Sequence, residues 1–359
     1  MYRIGIDVGG TFTDVTLLNS ETGAYYTYKL SSTLHDQSEA IANGTKETLA
    51  LYGVPVEQLE YFGHGTTVAT NMIIERKGAK TALITTKGFR DLLEIGRQTR
   101  PSLYDIMEDK PETLVRRALR REVDERTMAD GTILRKVNRD EVLRVLSQLK
   151  EKGVESLAVC FLFSFLNPEN ERIVEQCIKE TWPGVYCSVS STILPEFREF
   201  ERLSTTVIDS YLGPRMKMCI HHLQDRIRRG GCQRWSPTSP SPTAASCPSP
   251  PPFRPLSETA LSGPSAGVMG AVYVAKAAGF LDIITYDMGG TSTDVSLVKD
   301  GIAEYTTKRK VCGLPSGVPH DRCPRGTGRR RRLHRPHRQR GRTEGGARER
   351  GRQSRAGSL

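Results

Sequence analysis

One eight-residue motif occurs twice in this chain, and the repeat constrains the fold more than any other feature. Residues 7–14 read DVGGTFTD, and residues 287–294 read DMGGTSTD, 280 positions later. A short apolar run precedes each copy, and another follows it. Because a glycine turn between two apolar runs is typical of a β-hairpin, the sequence predicts two similar hairpins, each with a Gly-Gly-Thr tip.

The composition of this tip predicts a site for a phosphate group that arrives with a metal ion. Adjacent glycines let the backbone approach a ligand closely, and successive N–H groups in such a turn form a concave anion site. The flanking aspartates would repel a bare phosphate but suit one that carries Mg²⁺. Ordinary hairpins also contain Gly-Gly turns, so the repetition of the same acids and hydroxyls carries the inference. The predicted phosphate-loop residues are Gly9, Gly10, Thr11, Thr13 and Asp14 in the first copy, and Gly289, Gly290, Thr291, Thr293 and Asp294 in the second.

The net charge of +11 belongs to the C-terminal tail. Residues 311–359 contain 14 Arg, no Lys and three acids, so the basic and acidic side chains of the remaining residues balance. Charge alone could give the tail a salt-dependent affinity for nucleic acid. No aromatic residue follows Tyr305 to stack on a base, and the sequence therefore disfavours nucleic acid as a partner.

The eight cysteines and the apolar runs indicate a soluble, cytoplasmic protein. No two cysteines form a C-x-x-C pair, and several lie in apolar runs, where a free thiol behaves as a small hydrophobe. Such use of cysteine is typical of a reducing compartment. The N-terminus shows no secretory signal. The longest apolar run, residues 157–166, is shorter than the roughly 20 residues of a membrane span, so no membrane segment is expected.

Between the two motifs, helical and strand patterns alternate. The predicted helices include residues 38–52, 66–77, 140–152, 194–214 and 215–229, and the predicted strands include residues 81–86, 157–163 and 185–190. Alternation of this kind is typical of a mixed or parallel sheet covered by helices. The Gly213-Pro214 pair is expected to separate the last two helices.

His64 lies between two glycines in the segment GHGTTVATN, residues 63–71. It could cap the helix that follows, or it could act on a substrate or transfer a proton at a strand end. Arg97 and Arg100 flank a loop that ends at Pro101. They could bind a carboxylate or phosphate, but pairing with neighbouring acids is the favoured interpretation.

Six segments, taken in their order and spacing, resemble the hydantoinase A/5-oxoprolinase family of the actin-like ATPase superfamily. They are DVGGTFTD at 7–14, HGTTVATN at 64–71, GFRDLLEIGRQ at 88–98, FREFERLSTTVIDSYLGP at 197–214, LSGPSAGV at 261–268 and DMGGTSTD at 287–294. The resemblance covers roughly residues 1–230 and 258–312. It implies an α/β protein with the actin-like (ribonuclease H-like) ATPase fold, mixed sheets with flanking helices, and an incomplete second half.

The resemblance also implies an activity. Members of the family use ATP to open cyclic amides such as hydantoins or 5-oxoproline, by phosphorylating a carbonyl oxygen. The implied cofactors are ATP and Mg²⁺, and the implied partner is a hydantoinase-B-type subunit. By analogy Asp7 and Asp287 would position Mg²⁺ or the attacking group, with His64 as a further catalytic candidate. Two alternatives stay open: an acetone or acetophenone carboxylase-like subunit, and a non-enzymatic actin-like ATPase module.

Two segments depart from the family pattern. Residues 236–255 contain eight Pro and five Ser, and the tail is rich in Arg and Gly. We hypothesise that both are products of a shifted reading frame, and that the adenosine-binding part expected after the second motif is missing, so that the chain alone has little activity. The expected organisation is an N-terminal domain at 1–190, a helical connection at 191–232, an anomalous segment at 233–257, the start of a hydantoinase A domain at 258–311, and a disordered tail at 312–359.

Overall fold

The structure is a computed structural model, and it describes residues 1–33, 36–66, 68–229, 262–288, 293–303, 309–311 and 314–316. The Pro-rich segment and nearly all of the Arg-rich tail lie outside these residues. The expectations about both segments, and about the domain boundaries, therefore stay predictions.

The described residues form eight α-helices, two short 3₁₀ helices (Val56–Gln58 and Arg117–Leu119) and fifteen strands in an α/β arrangement. The helices are α1 (Gln37–Leu51), α2 (Val68–Ile74), α3 (Leu92–Ile95), α4 (Arg139–Glu151), α5 (Glu169–Thr181), α6 (Ser190–Ile193), α7 (Glu199–Arg229) and α8 (Ser262–Ala277). The strands are β1 (Tyr2–Val8), β2 (Phe12–Asn19), β3 (Tyr25–Ser31), β4 (Leu59–Thr66), β5 (Thr81–Thr86), β6 (Arg120–Val123), β7 (Arg126–Thr127), β8 (Ile133–Arg135), β9 (Ser156–Cys160), β10 (Tyr186–Val189), β11 (Ile283–Met288), β12 (Thr293–Lys299), β13 (Ile302–Ala303), β14 (Arg309–Val311) and β15 (Leu314–Ser316).

The first sheet contains the first copy of the motif. Its strand order is β3-β2-β1-β4, with β1 antiparallel to β2 and parallel to β4. Side chains alternate along β1, and those of Ile4, Ile6 and Val8 face the core. Helix α1 and the last turns of α7, through Leu223 and Ile227, cover this apolar face.

Helix α1 begins and ends where its sequence provides caps. The Asp36 carboxylate accepts a hydrogen bond from the Ser38 N–H at 3.0 Å, which satisfies one of the free donors of the first turn. Gly53 follows the helix with φ of 63°, a conformation that glycine adopts without strain. The Arg226 guanidinium of α7 lies 2.9 Å from the Asp36 carboxylate, so the same residue also ties α1 to α7.

The second sheet is parallel throughout, in the order β10-β9-β5-β6. Its central strands are buried along their whole length, as expected of a parallel sheet that is covered by helices. Helices α4, α5 and α7 pack against it. The predicted alternation of helices and strands over residues 140–190 is thus confirmed.

Helix α7 differs from the prediction, because it runs unbroken through Pro214. Leu212 and Met216, on either side of the proline, are both buried, and packing on both sides holds the helix together although proline lacks the N–H of that turn. A Cβ on Gly213 would lie 2.1 Å from the Tyr186 ring. The glycine is therefore needed for close contact with β10 and does not end the helix.

The second copy of the motif lies in a separate three-stranded sheet of order β11-β12-β13. Helix α8 packs against all three strands and also against β4 of the first sheet. Val268 and Val272 of α8 contact Val298 and Ala303 in a small apolar cluster. In the part of the chain that the structure describes, no helix combines the length and the apolar character that crossing a membrane requires.

Candidate functional site

The two motif copies form hairpins with the same register. Asp7 lies opposite Asp14 and Val8 opposite Thr13, while Asp287 lies opposite Asp294 and Met288 opposite Thr293. The predicted tip residues Gly289, Gly290 and Thr291 lie outside the described residues, and only the backbone positions of Thr293 and Asp294 are described. The shared register shows that both copies present their aspartates at the same distance from the turn.

The first tip is held by a short network of hydrogen bonds. The Gly9 N–H donates to the Phe12 carbonyl at 3.0 Å, and a Cβ on Gly9 would lie 3.1 Å from that oxygen. The Ser32 hydroxyl donates to the Gly9 carbonyl at 2.9 Å, and the Ser32 N–H donates to the Thr11 carbonyl at 2.9 Å. Neither Gly9 nor Gly10 has φ in the left-handed region, so close approach, rather than positive φ, is the reason for glycine at position 9.

Two N–H groups at this tip are available to a ligand. Those of Gly10 and Thr11 have no acceptor among the residues that the structure describes. Both lie outside the strands, and the Thr11 side chain is exposed. Neighbouring free N–H groups on a fixed turn are the arrangement that binds an anion.

Thr13 does not share this exposure. Its side chain is fully buried, and its hydroxyl is 2.9 Å from the Ser32 hydroxyl. The alternation of β2 places Thr13 on the core face and Asp14 on the other face. Thr13 therefore supports the turn through Ser32, while Asp14 faces the same side as Asp7.

Three carboxylates come together near the two tips. Desolvation, followed by repulsion from Asp287 and then from Asp14, raises the pKa of Asp7 above its ordinary value. Helix α8 connects the two hairpins, because it packs against β4 of the first sheet and a Cβ on its residue Gly267 would lie 4.0 Å from Asp287 Oδ2. Carboxylates that repel each other in this way favour a bound cation between them.

A lysine missed by the sequence analysis completes the row. Lys29 lies opposite Asp14 on β3, and its ammonium is 3.0 Å from Asp14 Oδ1. Across the sheet Gly65, Asp7, Asp14 and Lys29 are therefore neighbours on one face. The register of β2 with β3 creates this row, and an isolated basic residue in a strand pattern gives little sign of it.

His64 occupies the other face of the sheet. It is paired with Ile6 in the β1–β4 register, whereas Asp7 is paired with Gly65, and paired residues point to the same side. Its side chain is partly buried, and desolvation lowers the pKa of His64, so the ring is neutral at pH 7. The structure thus brings Asp7 and Asp287 together but directs the His64 side chain away from them.

Arg97 follows the favoured interpretation of the sequence. Its guanidinium donates two hydrogen bonds to the Glu201 carboxylate of α7, both at 2.7 Å. Such a bidentate pair occupies the Nε–Nη2 edge of the guanidinium, with which Arg97 could otherwise bind an anionic ligand. Arg97 therefore joins the 88–98 segment to α7.

The donor set suits a metal ion that arrives with its own ligands. Among the described residues, no group of three or more His, Cys, Asp or Glu side chains could hold a metal ion by themselves. Mg²⁺ usually takes one or two carboxylates and completes its octahedron with waters and phosphate oxygens. Asp7 and Asp287 fit that limited role, beside the free N–H groups of the first tip.

Comparison with known families identifies the family of this chain. The profile of the hydantoinase/oxoprolinase N-terminal region matches residues 3–182, and the hydantoinase/oxoprolinase profile matches residues 202–322. The chain belongs to the hydantoinase/oxoprolinase family. The resemblance inferred from the six sequence segments is therefore confirmed.

Individual relatives agree with this assignment. The chain is 32% identical over 325 residues to caprolactamase subunit alpha of Pseudomonas jessenii, covering 89% of this chain and 46% of that protein. It is 32% identical over 363 residues to 5-oxoprolinase 1 of Arabidopsis thaliana, covering 88% of this chain and 27% of that protein. The chain thus spans less than half the length of these curated relatives.

Solved structures show the same fold. A nucleotide-free structure of acetone carboxylase superimposes with a TM-score of 0.76 at 25% identity, over 89% of this chain and 47% of that one. The ATP-dependent caprolactamase from Pseudomonas jessenii superimposes with a TM-score of 0.75 at 30% identity, over 89% and 47%. The fold is the actin-like ATPase fold, as the repeated motif and the resemblance predicted.

Proposed function

We propose that this chain carries the two phosphate loops of an ATP-dependent enzyme that opens cyclic amides. One observation carries the proposal: two hairpins of identical register bring Asp7 and Asp287 within electrostatic reach of each other. An actin-like ATPase binds its nucleotide phosphates between two such loops. The relatives named caprolactamase and 5-oxoprolinase suggest a lactam as the substrate class.

Each residue of the site has a distinct task in this proposal. The N–H groups of Gly10 and Thr11 bind phosphate oxygens. Asp7 and Asp287 bind Mg²⁺, which offsets their mutual repulsion. Thr13 and Ser32 hold the first turn in place, because transfer of a phosphoryl group depends mainly on positioning and charge neutralisation.

MgATP would transfer its terminal phosphoryl group to the lactam oxygen and leave as ADP. Water would then attack the activated carbonyl carbon, the ring C–N bond would break, and phosphate would be released. A separate subunit of the hydantoinase-B type then completes the reaction. Relatives named as alpha, gamma and beta subunits support the need for such a partner. The free cysteines of the described residues, such as the buried Cys160 and Cys177, fit a cytoplasmic location.

A carboxylase-like role is the second candidate. Acetophenone carboxylase gamma subunit of Aromatoleum aromaticum is 32% identical over 327 residues, and the acetone carboxylase structure superimposes as well as the caprolactamase does. Turnover of ATP that requires bicarbonate and a ketone would favour this role. Turnover that requires 5-oxoproline or caprolactam, without bicarbonate, would favour the amide-opening role.

The proposal is tested first by nucleotide binding, measured by titration calorimetry. We expect Asp7→Asn to weaken MgATP binding by on the order of tenfold, since a metal ligand is lost. Without Mg²⁺ the same variant should bind ATP at least as tightly as the wild type, because a repelling carboxylate has gone. Glu57→Gln, an exposed acid away from the site, is the matched control and should change neither value.

The effect of Asp7→Asn on ATP binding should therefore differ in sign with and without Mg²⁺. This difference distinguishes the loss of a metal site from a general loss of structure. If Asp7→Asn weakens ATP binding equally with and without Mg²⁺, Asp7 does not hold the metal. If the wild-type chain binds no MgATP at all, the proposal fails for this chain. Lactam-dependent ATP turnover is then measured with and without a hydantoinase-B-type subunit, and little turnover is expected for the chain alone.

A further inference from the structure

Lys29 makes two contacts that direct its ammonium toward the first phosphate loop. Its Nζ lies 3.0 Å from Asp14 Oδ1 and 3.3 Å from Asp14 Oδ2, and 5.1 Å from the centre of the Phe12 ring. Phe12 is the first residue of β2 after the tip and is the next residue on the same face as Asp14. The ammonium therefore extends from the Lys29–Asp14 pair toward the turn and not along the strand away from it.

The position of this cation matters because the surrounding charges are negative. Asp7 also lies at this end of the face, and its pKa is raised by Asp287 of the second hairpin and by Asp14. Arg3 lies on the same face at the far end of β1, where it pairs with Glu60 at 2.7 Å. Lys29 places a positive charge near the tip end of this face.

Stability alone gives little reason for the Lys29–Asp14 pair. More than half of each side chain is exposed to solvent, and exposed ion pairs contribute little to stability. Asp14 belongs to the predicted phosphate loop, and lysine is a common phosphate-binding residue because its ammonium is a compact charge with three donors. A cation held loosely by a carboxylate can move to a phosphate oxygen without any change of the backbone.

The second copy of the motif repeats the cation in sequence. Lys29 follows Asp7 by 22 positions, and Arg309 follows Asp287 by 22 positions. Tyr25 and Thr27 also have identical counterparts 280 positions later, Tyr305 and Thr307. In the structure Arg309 lies in β14, which pairs with β15 and not with β12, so this agreement is one of sequence only.

We propose that Lys29 is a phosphate-binding residue of the first loop, which Asp14 holds in place until the nucleotide binds. The inference rests on the proposed function, since it assigns a further residue to the same nucleotide site. Asp14 keeps the ammonium near the tip, and the ammonium then donates to a phosphate oxygen beside the N–H groups of Gly10 and Thr11. The chemical class of ligand is a polyphosphate, with the nucleotide as its natural form.

The test compares the binding of MgATP and of magnesium tripolyphosphate to the wild type and to variants. Tripolyphosphate isolates the phosphate contacts from those of the adenosine. We expect Lys29→Met to weaken both ligands about tenfold and Lys29→Arg to restore most of that loss. Lys87→Met is the matched control, because Lys87 is a similarly exposed lysine that pairs with Asp124 at 3.6 Å, next to the second sheet.

A double-mutant cycle separates a direct phosphate contact from simple positioning of Asp14. If Lys29 contacts phosphate, Lys29→Met should still weaken binding in an Asp14→Asn background, by a smaller factor than in the wild type because Asp14 no longer positions the ammonium. If the lysine substitution has no further effect in that background, Lys29 acts only through Asp14 and the inference is wrong. Thermal melting of each variant, followed by circular dichroism, shows whether the fold is intact.

The two proposals fail in different ways. Wild-type binding of MgATP together with unchanged binding by Lys29→Met would overturn the role of Lys29 and leave the proposed function standing. Absence of any MgATP or tripolyphosphate binding by the wild type would overturn both.

Discussion

The two hairpins have the same register but differ in what covers them. Ile4 and Leu17 of the first hairpin are 0% exposed, whereas their counterparts Ile284 and Leu297 are 69% and 52% exposed. Helix α1 and the end of α7 cover the apolar face of the first hairpin. Among the described residues, α8 covers the other face of the second hairpin, through Val298. A repeated sequence therefore fixes the hairpin and its register, while the covering helices come from outside the repeat.

The different covering of the two hairpins has a functional consequence. Asp7 and Asp14 lie on the face of the first hairpin opposite to Ile4, and Asp287 lies on the face of the second hairpin opposite to Ile284. In the first hairpin that face is open to solvent near the tip, and in the second it lies against α8. Since α8 also packs against β4, a single helix aligns the two aspartate faces with each other.

The largest expected effect comes from truncating equivalent leucines. Leu17→Ala should lower the free energy of unfolding by about 2–5 kcal/mol, because a fully buried side chain leaves a cavity. Leu297→Ala should lower it by no more than about 0.5 kcal/mol, as for an exposed residue. Urea denaturation, followed by circular dichroism, measures both. Equal losses would mean that the apolar face of the second hairpin is covered in solution.

A smaller loss of stability is expected when the N-cap of α1, the helix that covers the first hairpin, is removed. Asp36 caps α1 and pairs with Arg226 of α7. Asp36→Ala should cost about 1–2 kcal/mol, typical of a lost N-cap. Asp36→Asn retains the capping oxygen and should recover most of this loss. The loss that remains measures the contribution of the ion pair with Arg226. If both variants lose equally, the ion pair and not the cap holds α1 in place.

Much of this arrangement was predictable from local patterns. The two hairpins and the parallel sheet follow from glycine turns and apolar periodicity, which act over short stretches of sequence. The direction of Thr13 and His64 was not predictable in the same way. A single residue more or less in a turn reverses the face of every side chain that follows, and three residues separate β1 from β2.

Two other features could not be predicted from the sequence because they depend on long-range contacts. Lys29 joins the site only through the pairing of β3 with β2. Pro214 remains inside α7 because Leu212 and Met216 are buried on both sides of it, a stabilisation that helix propensity does not include. Both features depend on residues that are distant in the chain, and no motif of adjacent residues marks them.

The smallest effect expected concerns the repulsion between the two aspartate faces. Desolvation and then the Asp287 and Asp14 carboxylates raise the pKa of Asp7 in the folded chain, so the folded state holds this proton more tightly than the unfolded state. Folding stability therefore falls as the pH rises from the unfolded value of 3.8 through the raised folded value. Above that window Asp7→Asn should raise Tm by on the order of 1 °C, since the residue is partly solvated. At pH values below 3.8 the gain should disappear.

A double-mutant cycle shows whether this repulsion crosses between the hairpins. Part of the gain from Asp7→Asn should vanish in an Asp287→Asn background, because one of the two repelling charges has already been removed. Melting curves of the wild type, the two single variants and the double variant, recorded without Mg²⁺, give the coupling between the two substitutions. Fully additive changes in Tm would show that the two aspartates act independently, and that α8 does not bring the hairpins close enough in solution to share a cation.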